Sequence, residues 1–197
     1  MKTLHLILLL CICLETNAQN ASISNRPKNY ISIELDPAPF VLGGYSFSLK
    51  FSPQTLDHFT FMGSIYSSNF PDAMMSKSNY DRGFRELKIN TSYALFADYF
   101  IRNNRSGFHF GPSVFLYSKS VKNNSADGRA NFRSIYPNIR AGYVLRPFKN
   151  CGLYLNPWLN VGKELMLSKA NSIGERKFMS DKITYVPAIH IGYQVMF

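Results

Sequence analysis

Apolar and polar residues alternate with period two in segment after segment of this chain, the pattern of strands whose two faces meet different surroundings. The last segment is the clearest. Ile183, Tyr185, Pro187, Ile189, Ile191, Tyr193, Val195 and Phe197 share one face, and Thr184, Ala188, His190, Gly192 and Gln194 share the other. Residues 31–35, 45–52, 59–66, 108–117, 135–146 and 153–161 read the same way. In 87–99, Leu87, Ile89, Tyr93, Leu95 and Tyr99 oppose Lys88, Asn90, Ser92 and Asp98. No comparable segment reads with helical period. The pattern predicts an all-β fold of eight strands.

The links between these strands alternate in length. Those at 53–57, 102–107 and 147–152 are short, while 67–85, 119–133 and 163–182 are long and polar; the short link at 37–44 departs from the alternation. In an antiparallel up-and-down meander, alternate links lie at opposite ends. One end is then trimmed and the other carries loops, as in transmembrane β-barrels. Alternation alone leaves open which face looks outward, because a soluble, lipocalin-like ligand-binding barrel also has eight strands. The apolar set places Tyr45, Tyr93, Tyr99, Tyr143, Tyr185 and Tyr193 near strand ends, as interfacial girdles require. The opposite set mixes Gly111, Gly142, Gly162 and Gly192 with Trp158 and Arg140, which suits a crowded interior. The apolar face is therefore assigned to lipid, with Leu95, Leu155 and Ile189 on it and Asn90, Asn156 and His190 in the lumen. Pro112, Pro137, Pro157 and Pro187 fall on the lipid-facing register of consecutive strands. Proline removes a ladder donor, so they predict a repeated β-bulge in the second half of the barrel.

The N-terminus has the layout of a cleaved secretory signal peptide over 1–18: Lys2, an apolar run over 4–14, and Thr16-Asn17-Ala18 at the cleavage position. A lipoprotein signal is rejected, since Leu10 and Ile12, not small residues, precede Cys11 and Cys13. A short segment, 19–29, then leads into a barrel over 30–197. Cys151 is the one cysteine left, so stability must come from a closed sheet, a membrane or a large core. The mature chain has no stretch of eighteen apolar residues. Yet 46% of the chain is hydrophobic, at a mean hydropathy of only −0.13, so the apolar material is interleaved with polar residues. The formal charge of +10 suits the anionic head groups of outer-membrane lipids and lipopolysaccharide; after export, these are favoured over nucleic acid.

Candidate chemistry is sparse. A hydrolase or acyltransferase would need a nucleophile beside a base. His58 and His109 map toward the trimmed end and His190 into the lumen, none with a serine nearby at the right height. The histidines are scattered and Cys151 sits alone beside a turn, so no metal site is expected, and Gly43-Gly44 is a turn signal rather than a phosphate loop. No cofactor is expected. Seven inward residues form a constellation: Glu34, Lys50, Lys88, Asp98, Arg140, Arg146 and His190. An eight-stranded barrel is just wide enough for side chains to fill, so such charges must pair. A salt-bridged plug is expected in preference to a narrow solute path.

The ending from Ile191 to Phe197, with Ile191, Tyr193, Val195 and Phe197 on one face, resembles the terminal signal read by the barrel-assembly machinery. The mature chain as a whole resembles the small outer-membrane β-barrel family, of which the OmpA membrane domain is a member. The resemblance is one of pattern and ending. It implies an outer-membrane location in a Gram-negative envelope and an assembly route, and it carries over no active site. The expected function is that of a monomeric, non-enzymatic outer-membrane barrel whose long loops contact surfaces, lipopolysaccharide or partner proteins. A soluble ligand-binding barrel is the alternative, and an outer-membrane lipid-modifying enzyme the third reading.

Overall fold

The computed structural model describes residues 29–124, 126–148, 151–168 and 171–197. The expected signal segment, 1–18, and all but the last residue of 19–29 lie outside the described residues. Eight long strands form a wall: β1 (Tyr30–Leu35), β2 (Tyr45–Ser52), β3 (Phe59–Asn69), β4 (Phe84–Phe100), β5 (Gly107–Asn123), β6 (Ala126–Val144), β7 (Leu153–Gly162) and β11 (Thr184–Met196). Three two-residue strands, β8 (Leu165–Met166), β9 (Ser172–Ile173) and β10 (Arg176–Lys177), lie between β7 and β11. Successive wall strands pair antiparallel, and β1 pairs with β11 from Tyr30↔Met196 to Leu35↔Ile191. That last ladder closes the sheet and removes its edges. The short links gather at one end, called the inner end here, and the long ones at the outer end. The link after β1 is a helical turn, Pro37–Val41, which Asp36 caps by accepting a 3.0 Å bond from the Ala38 amide.

The two faces of the wall are inverted relative to a soluble protein. Ile33, Leu49, Phe61, Leu95, Phe110, Ile139, Leu159 and Ile189, one from each strand, all point outward and are exposed. Ser48, Lys50, Asp98, His109, Arg140, Asn156, Asn160 and His190 point inward and are buried. Leu95 is 66% exposed, while Arg140 is 0% exposed. In water each such outward side chain would forgo about 1.5–3 kcal/mol of burial, and the lumen would be the wrong place for charge. Against lipid the same distribution is favourable, and the closed ladder satisfies the backbone. Tyr45, Tyr93 and Tyr185 stand at the outer margin of the apolar band, Tyr99 and Tyr143 at its inner margin. The chain is a transmembrane β-barrel, and the soluble ligand-binding alternative fails on its polar lumen.

Three expectations from the sequence need correction. Lys88 and Asn90 are not in the lumen: both are exposed, and Ile89 between them is buried with Phe96, Phe115 and Trp158. The cause is a pair of register shifts in β4, between Arg85 and Lys88 and between Ile89 and Thr91. Each adds one residue to β4, and a one-residue slip moves every side chain to the other face.

Residues 119–133 are likewise not a loop. β5 and β6 stay paired through Lys119↔Phe132 and Lys122↔Arg129, so the link is a tight turn after Asn123. This ribbon rises above the apolar band, where the apolar parity reverses: Leu116 and Ile135 face out, but Val121, Ala130 and Phe132 face in.

The prolines do not mark bulges. Val114↔Pro137, Ile189↔Pro157 and Pro187↔Leu159 stay in register. Each proline sits where its other ladder is broken or ended: Ala97 and Pro112 are not paired, β7 ends short of Pro137, the β6–β7 ladder stops beside Pro157, and β1 ends below Pro187. A missing donor costs nothing there.

Above the wall a second apolar core forms from Met75, Phe84, Val121, Ala130, Phe132, Ile173 and Phe178. Phe178 meets Phe84 edge-on at 5.4 Å and Phe132 at 5.2 Å. Asn79 exchanges two bonds with the Met179 backbone, at 2.7 and 3.0 Å, which pins the link after β7 to the link after β3. The outer end is a folded cap.

Candidate functional site

The lumen holds two buried charge centres, each built from positions whose parity points inward. The first is Glu34 on β1, which is fully buried. Lys50, from the neighbouring strand β2, makes an ion pair with Glu34 Oε1. Tyr154 donates its hydroxyl to the same oxygen at 2.6 Å, and His190 Nδ1 lies 2.8 Å from Oε2. The Lys50 ammonium also stands 5.2 Å from the centre of the Tyr154 ring. Gly192 makes this possible: it faces Tyr154 in the β7–β11 ladder, and a Cβ there would enter the tyrosine ring. The mixture of glycine and aromatic residues on the inward face thus has a steric meaning.

The second centre is Asp98 on β4. Arg140 on β6 grips it with two parallel bonds, Nε to Oδ1 at 2.9 Å and Nη2 to Oδ2. The guanidinium is packed 4.1 Å from the Phe96 ring centre and 5.5 Å from that of Trp158. His109 Nδ1 lies 3.5 Å from Asp98 Oδ1, and its Nε2 is 2.9 Å from Asn156 Oδ1. Asn156 in turn donates to both carboxylate oxygens of Glu34 at 3.4 Å. One amide therefore joins the two centres into a polar ladder across the lumen. Burying such ions costs several kcal/mol each, and pairing with saturating hydrogen bonds is what offsets it.

Charge pairing continues at both mouths. Toward the outer end, buried Glu164 accepts from Lys119 Nζ at 2.5 Å and from the Ser134 hydroxyl, which fastens the start of the link after β7 to the wall. At the inner end, Arg146 bonds Gln194 and lies 5.3 Å from the Tyr154 ring centre. Arg105 donates to the carbonyls of Pro53 at 2.5 Å and Leu56 at 3.3 Å. The cavity between these groups, lined by Ser32, Lys50, Arg146 and Tyr154 among others, is about 10 Å³, close to the minimum for a single water.

Of the inward residues expected from the sequence, Glu34, Lys50, Asp98, Arg140 and His190 come together in the lumen, Arg146 sits half-buried at its inner mouth, and Lys88 lies outside. The expected constellation leaves out Tyr154, His109, Asn156, Lys119 and Glu164, although Asn156 is assigned to the lumen. Tyr154 and Asn156 are uncharged, His109 was mapped to the trimmed end without a partner, and Lys119 and Glu164 fall in segments that read as loops. His58 is bonded to the Phe100 carbonyl at 2.7 Å and stacks on Tyr99. Each histidine thus has a carbonyl, amide or carboxylate partner and no hydroxyl one among the described residues. Ile191, Tyr193, Val195 and Phe197 all look outward, and the Phe197 amide donates to the Asn29 carbonyl at 3.1 Å.

No protein-family model matches the chain, and no curated protein matches it by sequence. Among solved structures it is similar to the N-terminal β-barrel domain of Pseudomonas aeruginosa OprF, at 13% identity and a TM-score of 0.47, over 85% of this chain and 98% of that one. It is also similar to Neisserial surface protein A, at 12% identity and a TM-score of 0.47, over 86% of this chain and 97% of that one. A third is Ail, the attachment invasion locus protein of Yersinia pestis, at 9% identity and a TM-score of 0.43, over 86% and 99%. No side-chain role passes across at such identities. On its own closed ladder, lipid-facing apolar band and filled polar lumen, the chain is an eight-stranded transmembrane β-barrel of the outer-membrane type.

Proposed function

We propose that this is a non-enzymatic protein of the bacterial outer membrane that holds a rigid, basic cap at the cell surface, where the cap contacts lipopolysaccharide, other surfaces or partner proteins. The filled lumen carries this reading. With paired charges and aromatic rings occupying the interior, the outer end is the part left to meet a partner. Its exposed charge is lopsided: Lys77, Lys163, Arg176, Lys177 and Lys182 stand against Asp81, Glu175 and Asp181 among the described residues. Basic excess of this kind raises the local concentration of anionic partners.

The test separates inner from outer membranes of the native host and measures conductance of the purified barrel in planar bilayers. The expected result is recovery in the outer-membrane fraction without steady open-channel steps. Recovery as a soluble protein, or stable conductance steps, would overturn it. So would a lipid-hydrolysing or acyl-transferring activity lost on substituting a single histidine.

A further inference from the structure

On the outward face of β4, β5 and β6 the apolar band ends in a basic step. Its last apolar row is Tyr93, Leu116 and Ile135, which are paired across the three strands. One row higher, Thr91 and Ser118 lead to Arg133; above that, Lys88 and Ser120 lead to Asn131; above that, Lys122 faces Arg129. The β4 register shifts are what turn Lys88 outward onto this face.

The charges in the step are answered unequally. Glu86 takes both upper cations, Lys122 Nζ at 2.8 Å and the Arg129 guanidinium. Lys88 and Arg133 are exposed and make no ion pair within 4.0 Å among the described residues, although Lys88 adds a longer-range attraction to Glu86. Between them the wall carries the small, buried Ser120, whose hydroxyl donates to Asn90 at 3.2 Å and accepts from the Arg129 guanidinium at 3.5 Å, so no bulky side chain of the wall itself separates the two cations. Beside Arg133 the exposed Leu165 and Leu167 extend the apolar surface, held by the Ile135↔Leu165 pair and a 2.9 Å bond from the Leu167 amide to the Arg133 carbonyl.

Depth fits a head-group level. Tyr143, packed edge-on to Phe108 at 4.7 Å, marks the inner margin of the band. Ten residues of β6 separate it from Arg133, roughly 34 Å of strand, which a tilt of about 40° projects onto roughly 26 Å. The apolar band of such barrels is about 25 Å tall, so Arg133 emerges at the outer interface.

We infer that this face is a binding site for the phosphate of an outer-leaflet glycolipid of the lipid A class. Its phosphate lies between Lys88 and Arg133, and its acyl chains lie on Tyr93, Leu116, Ile135 and the Leu165–Leu167 ledge. The inference rests on the proposed outer-membrane placement and adds the ligand and its residues.

The test uses the mature chain refolded in detergent micelles, with native mass spectrometry reading the bound fraction during titration with phosphorylated or dephosphorylated lipid A. Three proteins are compared: wild type, Lys88→Gln/Arg133→Gln, and the inner-end control Arg102→Glu, which also changes the charge by two units, at an exposed residue of the link after β4. A heat-dependent gel shift verifies that each is folded. Wild type and inner-end control are expected to bind phosphorylated lipid A alike. The Lys88/Arg133 variant is expected to bind it roughly tenfold to 30-fold more weakly, as loss of two basic groups at an anionic interface implies. Dephosphorylated lipid A should bind all three equally weakly, and excess inorganic phosphate should not displace the lipid. Equal binding by wild type and the Lys88/Arg133 variant would overturn the site, as would binding of neither lipid by the wild type. An equal loss in the inner-end control would mean diffuse charge, and displacement by inorganic phosphate would mean a site for soluble anions; either overturns it. Failure of the underlying placement reads out separately, as absence from the outer-membrane fraction.

Discussion

Replacing Asp98 with alanine strands Arg140, the bulkiest fully buried side chain of the lumen, as an unpaired cation. Arg140 is fully buried, its Nη1 has no hydrogen-bond partner among the described residues, and both bonds from its other nitrogens end on Asp98. A guanidinium does not shed its proton, so it cannot escape the penalty by becoming neutral. The rings of Phe96 and Trp158 already flank it in the native protein and add nothing new. Breaking a buried pair by removing one partner costs about 3–5 kcal/mol, a large share of the roughly 5–15 kcal/mol that holds a domain together. Removing both charges, in Asp98→Leu/Arg140→Leu, leaves no stranded ion and is expected to cost at least 2 kcal/mol less than Asp98→Ala alone. The assay is urea unfolding in lipid vesicles, followed by fluorescence of Trp158, the single tryptophan, with gel mobility as a second readout. Asp98→Ala within about 1 kcal/mol of wild type, or a double variant as unstable as the single one, would refute the buried-pair reasoning.

Other consequences follow from particular contacts. Arginine at Ile89 should be strongly destabilising and arginine at Asn90 nearly neutral, since the register shift turns only the former inward; refolding yields of the two variants decide it. Gly192→Leu should displace Tyr154 from Glu34 and cost about 1–3 kcal/mol by overpacking, measured by urea midpoint. Removing Phe197 takes away an exposed ring and one amide bond to Asn29, so refolding in detergent should stay nearly intact while membrane levels in cells fall; equal loss in both would make the residue merely structural.

Much of this fold was legible because a barrel repeats one rule. Eight strands, the inward parity of Glu34, Lys50, Asp98, Arg140 and His190, and the trimmed inner end all follow from period two and link length. The rule fails where the surroundings change. Period two carried through 87–90 put Lys88 inside because an extra residue in a strand leaves no mark on the alternation. Residues 119–133 read as a loop because their apolar face reverses where the ribbon leaves lipid: Leu116 looks out, Val121 looks in. That reversal was present in the parity of Val121, Ala130, Phe132 and Ile135 and marks the edge of the membrane. Asn156 was placed correctly in the lumen, but nothing in one strand tells that its amide bridges Glu34 and His109 from two others.

The central claim is that apolar residues meet lipid and polar ones fill the lumen. Single cysteines at 89, 95, 155, 156, 189 and 190, in a Cys151→Ser background, can be exposed to a lipid-confined thiol probe after refolding into vesicles. Reaction at 95, 155 and 189 with 89, 156 and 190 spared is the predicted result. Reaction at 156 and 190 with 95, 155 and 189 spared would mean that the barrel faces the other way, and the account would fall with it.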